Sequence, residues 1–166
     1  MAKALLITRS DLVTWSGTNG GVDTDNFIQW IATAQDLHIE PMLGTRLLEK
    51  IQADIIADTL ADPYLSLLTE YIKPALINFA MVMYLPNAAY TIGAKGVYKH
   101  GAENSETVSK EEIDFLAEKH RQIAMHYKER FIEYVIANST SFPEYYSNTS
   151  PDVFPDQNTN MTGWVL

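Results

Sequence analysis

The chain has 166 residues, 46% of them apolar and 20% charged, which suits one hydrophobic core and is too short for two well-packed ones. Twenty-one acidic against twelve basic side chains give a net charge of −9, a sign that opposes tight binding to a phosphate backbone. There is no cysteine, so disulfides, thiolate nucleophiles and cysteine-based metal sites are excluded, and no apolar run approaches the length of a membrane span or a signal-peptide core.

Residues 1–24 read as an N-terminal arm: a short apolar run, Ala4 to Ile7, leads to the turn-rich stretch Ser16-Gly17-Thr18-Asn19-Gly20-Gly21. Thr24 or Asp25 can cap a helix whose apolar residues Phe27, Ile28, Ile31, Ala34 and Leu37 fall at helical spacing, with Pro41 and Gly44 ending it. A second helix is expected from Thr45 to about Ala57, burying Leu47, Leu48, Ile51, Ile55 and Ile56. Asp62-Pro63 restarts the chain as a cap followed by a proline, and Leu65, Leu68, Ile72, Leu76, Phe79 and Met83 then form one apolar stripe. Pro74 predicts a kink or break near residue 73, and Pro86 marks the approaching end.

Residues 90–109 carry Gly93, Gly96 and Gly101 without a helical period, which makes them a long loop or a short hairpin. Ser109-Lys110-Glu111-Glu112 fits a capping box. The helix it opens should run to about Asn138, some 43 Å at 1.5 Å per residue, with Ile113, Leu116, His120, Ile123, Tyr127, Phe131, Tyr134 and Asn138 along one stripe. Its early acidic and later basic residues suit the helix dipole. Beyond it no helix is written, and Phe142, Tyr145, Tyr146, Phe154, Trp164 and Val165 stand outside any periodic element. Such aromatics either fold back on their own core or bury themselves in a neighbour, where Tyr and Trp are favoured anchors.

The chemistry-bearing residues form no recognised catalytic pattern. None of the four histidines pairs with another at His-Glu-x-x-His spacing, and His120 reads as an ordinary half-buried side chain of the stripe. Asp23-Thr24-Asp25-Asn26 superficially resembles the start of a calcium loop but lacks the glycine and the distant glutamate, so helix capping explains it better. The glycines at 17, 20 and 21 match no phosphate-binding loop, no Gly-x-Ser-x-Gly elbow is present, and Glu103, Glu106, Glu111 and Glu112 lie in polar sequence. The expectation is a non-enzymatic protein without cofactor or metal.

The stretch from Ile31 through Ala32-Thr33-Ala34-Gln35-Asp36 and Ile39-Glu40-Pro41-Met42-Leu43-Gly44-Thr45-Arg46-Leu47 resembles the first two helices of the small head-tail connector proteins of tailed bacteriophages. The run from Asn87 to Gly96, the Glu103-Asn104-Ser105 loop, the long helix and Phe142-Pro143-Glu144-Tyr145 resemble connector or ring proteins of crAss-like and related phages of Bacteroidetes. Together these segments cover roughly residues 25–146. The resemblance implies a helical subunit repeated in a ring, commonly of twelve copies, between portal and tail in the virion neck, made in the host cytoplasm. Its partners would be further copies, the portal and other neck or tail proteins, with DNA passing unbound and no membrane involved. The alternative is a cytosolic helical adaptor whose aromatic tail docks on an unrelated partner.

The expected architecture is mostly α: a compact bundle of four to five helices in residues 25–138, a long C-terminal helix, a long glycine-containing loop, and extended arms at residues 1–24 and 139–166. Candidate protein-interface residues are Tyr98, Lys99 and His100 in the loop and Phe142, Tyr145, Tyr146, Phe154 and Trp164 in the tail.

Overall fold

A computed structural model of the chain describes residues 3–16, 24–88, 90–93, 96–99 and 109–157. The glycine stretch at 17–21, the loop with Glu103-Asn104-Ser105, His100 and Trp164 therefore lie outside the described residues, as do the side chains of the expected caps Thr24 and Asp25. The elements in chain order are α1 (Arg9–Ser16), α2 (Thr24–Ala34), a π turn (Gln35–Ile39), α3 (Glu40–Leu43), α4 (Thr45–Ala57), α5 (Tyr64–Leu67), a second π turn (Leu68–Ile72) and α6 (Lys73–Ala88). A two-stranded antiparallel hairpin follows, β1 (Tyr90–Gly93) and β2 (Gly96–Lys99), with Tyr90 opposite Lys99 and Gly93 opposite Gly96. The chain then forms α7 (Lys110–Ala137) and two short 3-10 turns, Ser139–Ser141 and Pro143–Tyr146.

The bundle is built around α6. Its residues from Pro74 to Met81 are buried without a break, as befits a helix that is apolar on every side. The long helix α7 packs along it most extensively, and α2 and α1 cover other parts of its surface. The core joins Phe27, Ile31, Met42, Leu47, Ile51, Leu67, Leu76, Phe131, Val135, Phe142 and Tyr145 into one cluster.

Pro86 lies inside the closing turns of α6, and two earlier prolines, Pro41 and Pro74, are absorbed in the same way. Pro41 and Pro74 each lie two residues beyond a five-residue π turn, in which Glu40 N–H donates to Gln35 O and Lys73 N–H donates to Leu68 O. A proline in a regular helix lacks an amide and presses its ring on the carbonyl four residues back. A widened turn just upstream relieves that contact, so Pro41 does not end its helix and Pro74 does not break the run from Tyr64 to Ala88. The terminator is Gly44 instead, at φ 76° and ψ 157°, a region that essentially only glycine occupies.

The capping box on α7 is formed as the spacing predicts: Glu112 N–H donates to Ser109 Oγ, and Ser109 N–H donates to the Glu112 carboxylate. A second reciprocal cap, unremarked in the sequence, opens α1, where Asp11 N–H donates to Thr8 Oγ1 and Thr8 N–H to Asp11 Oδ2.

Of the two segments expected as extended arms, the described parts, residues 3–16 and 139–157, pack on the body. Leu6, Ile7 and Leu12 are buried in the core, the Leu6 amide donates to buried Gln35, and Ala4 O accepts from both Gln35 and Gln52. Lys73 adds an ion pair to Asp11 at 2.9 Å. At the other end, residues 147–157 return across the start of α4 as a strap, described next.

Candidate interaction surface

The strap is bound at the Gly44 turn. Because the residue at the N-cap of α4 is Gly44, which has no side chain to cap it, the first amides of the helix need acceptors from elsewhere. Thr45 N–H donates to Val153 O at 3.1 Å and Arg46 N–H to Asn148 Oδ1 at 3.1 Å. Asn148 is held in that orientation by its own donation to Tyr145 O. Thr45 Oγ1 accepts from Val153 N–H and faces Glu40 Oε1 at 3.3 Å. Arg46 pairs with Asp152 at 2.7 Å, Lys128 with Asp156 at 2.9 Å, and Asp156 N–H donates to Pro41 O. The Thr149 amide and then Arg46 hold the Asp152 carboxyl below its usual range. A Cβ on Gly44 would stand 2.8 Å from Asn148 Nδ2 and 2.9 Å from Pro155 Cδ, so turn and strap fit only while residue 44 has no side chain.

The tail aromatics divide accordingly. Phe142 and Tyr145 are fully buried in the chain's own core and cannot serve as anchors on a neighbour. Phe142 packs on Tyr64 and Tyr134 with centroid distances of 5.5 and 6.0 Å, and Tyr145 lies 6.0 Å from Phe131 and donates to Asp156 O. Their burial has a local cause: the two 3-10 turns fold the chain back immediately after α7, placing both rings beside the last turns of that helix. Tyr146 and Phe154 remain exposed, at 46% and 62%, beside a groove of about 460 Å³. Tyr98 and Lys99 fall in β2, whose strand pairs with β1 and, among the described residues, is not packed extensively against any helix.

The surface also carries apolar side chains that sequence reasoning assigned to the core. The stripe expected along α7 passes through Leu116 and Ile123, yet both are exposed, as is Phe115 at 61%. The buried positions of that half are Ala117 and Ala124, so the contact with α6 runs through small side chains and the bulky ones turn outward. Trp15, Ile28, Leu37, Ile56 and Leu65 form a second, scattered exposed set on other elements.

Two histidines flank α6. His120 Nδ1 lies 2.8 Å from Asn78 Oδ1, and since Asn78 Nδ2 donates to Pro74 O, the contact makes His120 Nδ1 the donor. His38 stacks on Phe79 with centroids 4.2 Å apart and rings nearly parallel. Burial lowers the affinity of both for a proton, and Lys128 and Arg121 lower that of His38 further. Tyr64 donates to Glu144 at 2.6 Å, and burial, then that carboxylate, pushes its hydroxyl well above the ordinary value. Among the described residues no three His, Asp or Glu side chains are grouped to hold a metal ion. None of the described helices is long and apolar enough to cross a membrane.

The fold defines the chain as a helical bundle closed by a C-terminal strap. It belongs to DUF6712, a family of unknown function, matched over residues 39–155, a span that includes the Gly44 turn and ends at the proline packed over it. No curated protein and no solved structure matches the chain.

Proposed function

We propose that this protein is a structural subunit of a phage neck, repeated in a ring that joins the portal to the tail and surrounds the passing DNA. The observation that carries the reading beyond its sequence resemblance is the outward apolar face of α7, with Leu116 and Ile123 seven residues apart on one side of the helix and Phe115 beside them. A ring needs a heterologous contact, one face of each copy against a different face of the next. The α7 face supplies one member of such a contact, and the exposed residues on α1, α2, α4 and α5 supply candidates for the other. Tyr98 and Lys99 in β2, with His100 next in the sequence, are further candidate contacts under the same reading. A net charge of −9 suits a channel that DNA traverses without adhering, provided that acidic side chains face the lumen.

The test is the mass of the purified full-length chain by light scattering, alone and mixed with the portal ring of the same phage, together with imaging of the intact virion neck. A ring of many copies, formed alone or on the portal and occupying the neck density, is the expected result. A chain that stays monomeric in both conditions and is missing from the neck would overturn the proposal and favour a cytosolic adaptor.

A further inference from the structure

We propose that the outward face of α7 seats in a groove along α4 of a second copy, with Phe115 and Leu116 entering the groove and Lys119 meeting Glu49. This names the second member of the ring contact and rests on that reading. The groove is lined by Lys3, Glu40, Leu48, Glu49, Ala53 and Ile56 among others, encloses about 450 Å³ and is mainly apolar inside. Its floor is fixed: Leu48 and Gln52 are buried, and Gln52 Nε2 donates to Ala4 O at 3.0 Å. Ile56 stands 62% exposed at its side. Of the charged groups around it, Lys3 is drawn to Asp36 in an ion pair of 2.9 Å, so the carboxylates of Glu40 and Glu49 set the sign of the mouth. An apolar groove with a negative mouth suits apolar side chains that carry a cation beside them.

The face of α7 has that chemistry. Phe115, Leu116, Lys119, Gln122 and Ile123 are exposed and recur at steps of three, four and seven, which places them along one side of the helix. Lys119 Nζ lies over the Phe115 ring, 5.3 Å from its centroid, so the cation sits on the apolar patch itself. The neighbouring charges are already engaged: Glu118 pairs with Arg121 at 2.7 Å, and the Glu112 carboxylate is held in the capping box. Within one copy the two faces stand apart, because α4 packs chiefly on α3 and on the Pro143–Tyr146 turn, whereas α7 packs chiefly on α6 and the second π turn. They meet between copies. Each copy carries one groove and one matching face, so a single kind of contact, repeated head to tail, covers both, and this is the heterologous contact from which a ring is built.

The experiment assembles the full chain with the portal ring of the same phage and reads the mass by light scattering. Glu49→Lys and Lys119→Glu, neither at a buried position, should each weaken assembly at least about tenfold by setting like charges face to face. Combined in one chain they should restore most of it, with far-ultraviolet circular dichroism unchanged throughout. Because the chain has no cysteine, Ala53→Cys with Gln122→Cys introduces two unique thiols, and a short bismaleimide should then join neighbouring copies into a ladder of covalent multimers. Either cysteine alone should give no cross-linked product, since the contact is not between like faces. A parent ring that survives both single charge changes undiminished, or that gives no ladder, overturns this proposal and leaves the ring standing. Covalent dimers from a single-cysteine variant overturn it in favour of a like-to-like contact. A parent chain that stays monomeric with the portal overturns the ring and this contact together. If a charge variant loses its helical dichroism, the cysteine ladder decides alone.

Discussion

At the scale of single residues, Gly44 bears the most structural consequence. It adopts a backbone conformation closed to other residues, and the space where a Cβ would stand is filled by Asn148 and Pro155. Gly44→Ala should therefore cost about 1–3 kcal/mol in urea unfolding, through backbone strain and displacement of the strap together. Adding Asn148→Ala relieves one of the two clashes while removing the acceptor for the Arg46 amide, an N-cap loss of about 1 kcal/mol by itself. Because the two residues touch, the double variant should lose less than the sum of the single losses, and additive losses would show that strap and turn are uncoupled. The sequence marked Gly44 as a helix end by its residue type alone. The need for glycine there comes from a segment about a hundred positions away, which no local pattern encodes.

Between elements, the contact of α6 with its neighbours carries a pH response. His38 and His120 both meet α6, one stacked on Phe79 and one bonded to Asn78, and both bind protons less readily in the fold than in the unfolded chain. A histidine whose folded pKa is depressed stabilises the fold in its neutral state. That contribution is complete above the unfolded value of about 6.5 and is lost as pH falls from there toward the lower folded values. The melting temperature should accordingly drop between pH 7.5 and pH 5.5. His38→Phe, which can keep the stack on Phe79, should flatten the slope, and an unchanged slope in that variant would rule out His38 as a contributor. The elements themselves were largely legible: the Ser109 capping box, the span of α7 and the start of α4 follow from local chemistry, and the hairpin was one of the two alternatives left open for its segment. Their faces were less so. Apolar periodicity follows bulky residues, and the first half of α7 turns Ala117 and Ala124 inward, so Leu116 and Ile123 of the expected stripe face outward while Phe131 in its second half is buried as expected. The prolines misled for a related reason, since a π turn that accommodates Pro41 or Pro74 leaves no mark in composition.

For the whole molecule, the decisive property is that folding leaves one long helix with unused apolar surface. Leu6, Ile7, Phe142 and Tyr145, which could have belonged to free arms, are spent inside the bundle, whereas Phe115, Leu116 and Ile123 are not. This separation makes assembly testable without confusing it with stability. Leu116→Lys combined with Ile123→Lys changes two exposed positions, so the monomer should keep its helical circular dichroism, with unfolding shifted by no more than about 0.5 kcal/mol per site. A stable interface needs roughly 1,000 Å² of well-packed surface, and two lysines at its apolar centre would leave unpaired charges desolvated against the neighbouring copy. Light scattering of the variant with the portal ring should then show only monomer under conditions in which the unmodified chain forms the ring. If the double variant assembles as fully as the parent, the α7 face is not the contact, and the search moves to the exposed set on α1, α2, α4 and α5. If it unfolds, the outward placement of Leu116 and Ile123 is itself refuted.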